Sequence, residues 1–125
     1  MNLELAKRAV TCKRWKWMPG MLIEADGHFD RVCIAWEDGM LECRDNEMIG
    51  DQIADVLPDL DDPATLGCLL ALVREAWGGH SAGFQIGPSS DHEWEMWLQH
   101  RTEERRWFYG KTEAAALVAA LEAAP

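Results

Sequence analysis

The chain has 125 residues, of which 48% are apolar, and a formal net charge of −10. A chain of this length typically forms one domain and buries roughly two-thirds of the surface its unfolded form exposes, so the composition is that of a folded protein rather than a disordered one. No run approaches the roughly 18 apolar residues of a membrane span. The opening Met1-Asn2-Leu3-Glu4-Leu5-Ala6-Lys7 lacks the basic-then-apolar order of a secretory signal, so a cytoplasmic protein is expected.

The charge is uneven. Up to Lys16 the chain carries Lys7, Arg8, Lys13, Arg14 and Lys16 against Glu4 alone, so the acidic excess lies entirely in the remainder. Such a field repels nucleic acid phosphates and steers basic partners inward. Cys12, Cys33, Cys43 and Cys68 show neither C-x-x-C nor zinc-finger spacing, and are expected as reduced, mostly buried thiols.

Asn2 is placed to cap a first helix reaching about Arg14, with Leu3, Leu5, Ala6, Ala9, Val10 and Cys12 on its apolar half. Pro19-Gly20 ends that region. Met21 to Ala25 and Phe29 to Trp36 flank Asp26-Gly27, a strong hairpin dipeptide, and Met40 to Arg44 continues the meander. Alternation puts Val32, Ile34 and Trp36 on one face, and Trp36, like Trp77, is expected in the core. Residues 45 to 62 hold Asp45, Glu47, Asp51, Asp55, Asp59, Asp61 and Asp62 with no Lys or Arg. Interleaved apolar residues mark this stretch as a packed acidic connection.

Asp62-Pro63 starts a second helix, carboxylate at the cap and proline at the first helical position. Its stripe is Leu66, Leu69, Leu70, Val73 and Trp77, and Gly78-Gly79 stops it. Gly83 to Ile86, Glu93 to Gln99 and Arg105 to Tyr109 read as strands, with Trp94, Met96 and Leu98 facing inward. Ser90-x-x-Glu93 also fits a helical capping box, but the helical spacing stops after Leu98. Thr112 caps a last helix through Ala124, with Ala114, Leu117, Val118 and Leu121 as its apolar line. The expected fold is one α+β domain over residues 1–125, in the order α-βββ-α-βββ-α. It comprises an antiparallel sheet of about five to six strands packed against about three helices.

No catalytic constellation emerges. Gly110-Lys111-Thr112 resembles the end of a phosphate loop, but Arg105 stands where that loop needs its first glycine. A Cys33–His28 pair could form only in space, and a buried strand cysteine is the commoner case. Asp59, Asp61 and Asp62 lack the ligand alternation of a calcium loop, and neither metal nor cofactor is expected. Seven tryptophans are a heavy load for this length. Trp15, Trp17 and Trp97 are the hardest to bury together, and exposed tryptophan beside charge is typical of binding hot spots. Arg105 and Arg106 beside Trp107 form a small cationic-aromatic spot, too isolated for a nucleic-acid platform.

Ala6-Lys7-Arg8-Ala9-Val10 followed by Trp15, Trp17 and Met18-Pro19-Gly20-Met21 resembles the opening of a family of small phage and prophage proteins. Asp62-Pro63-Ala64-Thr65-Leu66-Gly67 and the Thr112-to-Glu122 helix are similar to their middle and ending. The likeness covers about a third of the chain and carries over no site residues. The strand, Gly110, Thr112 and helix sequence also resembles HicB-type antitoxins, as a fold hint only.

The combined expectation is a non-enzymatic phage protein in the bacterial cytoplasm. It would bind and inhibit a host protein with a basic surface, such as a CRISPR or other defence complex, as anti-CRISPR proteins do. The expected contact residues are Asp45, Glu47, Asp51, Asp55, Asp59 and Asp61 with Trp15, Trp17 and Trp97, and neither nucleic acid nor membrane is a partner. The alternative is an antitoxin-like or regulatory homo-oligomer.

Overall fold

A computed structural model describes residues 2–25, 27–36, 40–43, 48–49, 56–79, 82–90, 93–100 and 102–125. Helix α1 spans Leu3–Thr11 and is followed by strands β1 (Leu22–Ala25), β2 (His28–Ala35), β3 (Leu41–Cys43), β4 (Met48–Ile49) and β5 (Leu57–Pro58). Helix α2 covers Pro63–Ala76, strands β6, β7 and β8 cover Ala82–Pro88, Trp94–His100 and Arg106–Gly110, and helix α3 covers Glu113–Glu122. The α+β class and the three helices agree with expectation.

The strands do not form one sheet. They divide into an antiparallel five-stranded sheet ordered β4-β3-β2-β1-β5 and an antiparallel three-stranded sheet ordered β6-β7-β8. Helix α3 buries Ala114, Ala116, Leu117, Val118, Ala120 and Leu121. A helix apolar on nearly every side must be surrounded. It packs on β7, β8, α2 and α1, while α1 also rests on β5. Buried residues from both sheets and all three helices form one core.

Each helix starts where a polar side chain takes up an orphan N–H. The side chains of Asn2, Asp62 and Thr112 accept from the backbone of Leu5, Thr65 and Ala115. Helix α1 stops at Thr11, three residues earlier than its pattern suggests, and buries only Leu5, Ala6 and Ala9; Leu3 is exposed. In α2 the buried set is Thr65, Leu69, Leu72, Val73 and Ala76, with Leu66 and Leu70 half-buried beside it. Trp77 closes that helix, buried, with its indole N–H donating to the Ala120 carbonyl at 2.8 Å, which fastens α2 to α3. Gly78 then turns the chain at φ +114°, in the left-handed region.

The sharpest departure from the sequence pattern is in β2. Val32 pairs with Cys43, but Ile34 pairs with Glu42 and Ala35 with Leu41, so one extra residue is inserted at Cys33. Because side chains alternate with period two, that bulge exchanges the faces of everything beyond it. Val32 is buried as expected, whereas Ile34 is 40% and Trp36 52% exposed. The expectation of a core Trp36 is therefore corrected.

Asp62 joins three elements. It caps α2 through the Thr65 N–H (2.9 Å) and accepts from the Thr65 hydroxyl (2.9 Å) and from both terminal nitrogens of Arg31 on β2 (2.8 and 3.2 Å). The Thr65 hydroxyl, wholly buried, in turn accepts from the Leu22 N–H of β1 at 2.8 Å. The Arg31 guanidinium beside it holds the Asp62 carboxyl down at about 2, below the ordinary 3.8. A carboxyl depressed in the folded state stabilises fully above its unfolded value, and that contribution, on the order of 2 kcal/mol, fades as pH falls through about 2. Asp62→Ala is expected to destabilise the fold by about 2–3 kcal/mol at pH 7, cap and pair together. Urea denaturation of both proteins at pH 7 and pH 2 should show the gap shrinking at the lower pH.

Gly110 has a packing reason rather than a phosphate-binding one. A Cβ there would sit 2.6 Å from the Ala116 backbone nitrogen and 2.6 Å from the Ala115 Cβ. The end of β8 thus touches the first turn of α3. Gly110→Ala should cost about 1–3 kcal/mol by overpacking, read as a lower denaturation midpoint with an unchanged slope.

Candidate functional site

The three-stranded sheet has a core face and an outer face. Phe84, Ile86, Trp94, Met96, Leu98 and Phe108 pack into or against the core. The register places Gln85, Trp97 and Trp107 in one row of the opposite face and Glu95 with Tyr109 in the next. Trp107 and Tyr109 are each 46% exposed. The Trp97 indole N–H donates to Gln85 Oε1 at 3.1 Å, and the Arg105 guanidinium lies 4.1 Å from the centre of the Trp97 ring. Arg106, across the edge, stands 5.2 Å from the Trp77 ring and 5.6 Å from that of Phe108. Stacking on rings holds both guanidinium planes while leaving their N–H edges exposed. The turn between β7 and β8 is tied by Gln99 Nε2 donating to the Glu103 carbonyl at 3.0 Å.

Of the expected contact residues that are described, Trp97 lies on this face. Trp15 and Trp17 are half-buried, edge to face at 5.3 Å, and packed against the core. They lie away from the three-stranded sheet's outer row of Gln85, Trp97 and Trp107. Asp45, Glu47, Asp51 and Asp55 lie outside the described residues. Asp59 and Asp61 precede α2, with Asp59 accepting from the Asp61 N–H at 3.0 Å. Asp59 lies beside β1, its N–H donating to the Leu22 carbonyl, and not on the aromatic face.

Cations of the amino-terminal segment meet acids elsewhere. Lys7 pairs with Glu4 at 3.8 Å, Arg8 with Glu122 of α3, and Lys16 with Glu75 of α2 at 2.6 Å. Arg14 donates to the Pro125 carbonyl. A cleft of about 410 Å³ opens there, lined by Arg8, Cys12, Arg14 and Glu122 among others. Its arginines are already engaged.

The cysteines differ in access. Cys43 is buried, Cys12 and Cys68 intermediate, and Cys33, at the bulge, exposed, contrary to the expectation of a buried strand thiol. Burial pushes the Cys12 and Cys68 thiols up. His28 and Cys33 sit five residues apart on one strand, roughly 16 Å at the rise of a β-strand, too far to form a nucleophile pair. Among the described residues no group of three or more His, Cys, Asp or Glu could hold a metal ion. None of the described helices is long and apolar enough to cross a membrane.

A second exposed apolar strip runs along β2. The bulge that turns Ile34 and Trp36 outward aligns them with Phe29, which is 55% exposed. With Leu3 of α1, the residues Trp107, Tyr109, Phe29, Ile34 and Trp36 are the exposed large apolar side chains among the described residues, and the sequence reading did not select them as contacts. For Trp107 and Tyr109 a signal existed: they have the opposite parity to Phe108 in a strand whose inward partners were already recognised.

The chain matches no known protein family, no curated protein and no solved structure.

Thiol titration of the native protein at pH 7 is expected to show Cys33 reacting first, Cys12 and Cys68 more slowly, and Cys43 only on unfolding. Mass mapping of the first alkylated site checks that order.

Proposed function

We propose that this protein is a non-enzymatic interaction protein that docks a protein partner on the outer face of its three-stranded sheet. The observation that carries the reading is the exposure of Trp107 and Tyr109 beside the Arg105–Trp97 stack. Tyrosine, tryptophan and arginine supply most of the binding energy where proteins meet. The other face of the same sheet is the one that packs on the core, so these side chains stand at the surface. The net charge of −10, with Asp59 and Asp61 beside α2, supports long-range attraction to a basic surface on that partner. The resemblance to phage proteins supports a bacterial host factor, and inhibition of a defence complex as the consequence of binding.

Self-association as a regulatory or antitoxin-like module is the second reading. The separate strip of Phe29, Ile34 and Trp36 favours it.

Two double variants separate the readings. Trp107→Ser with Tyr109→Ser should abolish capture of a discrete host protein and leave the sedimentation coefficient unchanged. Phe29→Ser with Trp36→Ser should keep capture intact. If instead the second pair dissolves an oligomer and the first pair changes nothing, the self-association reading replaces the docking one.

A further inference from the structure

The described strands that end a sheet are not equally open. β5 is two residues long and contains Pro58, and β6 ends in Pro88, which has no N–H to give. Short length and proline are the usual devices that keep an edge from pairing with another chain. β8 has neither. It is a five-residue terminal strand, Arg-Trp-Phe-Tyr-Gly, with β7 on one side and α3 against its inner face.

Charge along this edge is opposite in sign to that of the molecule. From Arg105 to Lys111 the sequence contains three cations and no acid. Lys7, Arg8, Lys16 and Arg31 each have a carboxylate partner, whereas no ion pair joins Arg105, Arg106 or Lys111 to a described residue. The outer face of β8 carries Trp107 and Tyr109, and a cation flanks the strand at each end, Arg105 over the Trp97 ring and Lys111 after Gly110. The two ends are about 20 Å apart at the rise of a strand.

We propose that the β8 edge takes an extended acidic segment of a partner protein as a fourth strand of the sheet. The inference rests on the docking reading above and specifies what docks. Main-chain hydrogen bonds along the edge would supply affinity, and alternate side chains the specificity. The matching segment carries carboxylates six residues apart, opposite Arg105 and Lys111, with apolar side chains between them over Trp107 and Tyr109. Because the pattern of flanking cations and outer-face aromatics reads the same from either end, both strand directions are accepted.

Two alternatives fit the charges less well. A second copy pairing antiparallel about Phe108 would set Arg105 against Lys111 of the partner subunit, cation on cation. A basic segment would meet the same repulsion at both ends. The overall negative charge does not forbid an acidic guest. Glu95, paired with Tyr109 on β7, lies about 10 Å from an added strand, beyond one screening length at physiological salt.

The probe is a blocked seven-residue peptide with Glu first and last, Val third and fifth, and Ser elsewhere; its control carries Lys in place of both Glu. The acidic peptide should bind about tenfold tighter than the control, the sum of two exposed ion pairs, and added salt should narrow the difference. Amide spectra should shift at Arg106–Gly110, with slowed hydrogen exchange there. Arg105→Glu with Lys111→Glu should reverse the preference. Equal affinity for the two peptides, or shifts that avoid β8, overturns the proposal, as does a dimer in the free protein with β8 amides already protected. Loss of host-protein capture in the Trp107→Ser, Tyr109→Ser variant combined with no peptide preference would retain the dock and remove the acidic strand.

Discussion

One carboxylate holds the fold's first half to its second. Asp62 terminates the acidic connection, starts α2, and receives Arg31 from β2, while Thr65 one turn on passes the same network to the Leu22 amide of β1. A buried polar node is stabilising only when every member is satisfied, because each unsatisfied group costs its full desolvation. Here the Thr65 hydroxyl both donates and accepts. Arg31 spends a further bond on the Gly20 carbonyl at 2.8 Å. The register of the β1–β2 hairpin and the starting point of α2 are consequently fixed by one set of contacts, and the position of α2 in turn sets that of α3 through Trp77.

With the core arranged around α3, each sheet keeps an outer face bearing large exposed apolar side chains, Phe29, Ile34 and Trp36 on one and Trp107 and Tyr109 on the other. Arg8 and Lys16 tie α1 and its exit to α3 and α2, and Arg14 reaches the Pro125 carbonyl beyond α3. The acids of residues 45–62 are thus not what these cations neutralise in the described contacts. The surface combines a negative long-range field with a short positive edge, and the two act at different ranges.

Helix starts, the Asp26-Gly27 hairpin region and the inward set of β7 were legible because each depends on neighbours in sequence: a cap, a turn dipeptide, a period of two. The strand reading of residues 94–100 succeeded for the same reason, since helical spacing ends at Leu98. Trp36 was misread because a bulge is decided across the ladder, by Glu42 and Leu41, and leaves no mark in the alternation of β2 itself. The edge-to-face packing of Trp15 and Trp17 against the core is a tertiary arrangement that no spacing reveals. The surroundings of α3 were hidden in its alanines: Ala116 and Ala120 look neutral in sequence, yet their small size lets other elements approach the helix from additional sides.

The placement of α3 also bears on how the chain is made. Its ten residues follow every strand and both other helices in sequence, yet α1, α2, β7 and β8 all pack against them. On a ribosome that releases the chain from its amino end, the inward faces of Met96, Leu98, Leu69 and Val73 are synthesised well before the helix that covers them. For that interval the nascent protein presents sticky, half-finished layers, and a holding chaperone would have its best opportunity then.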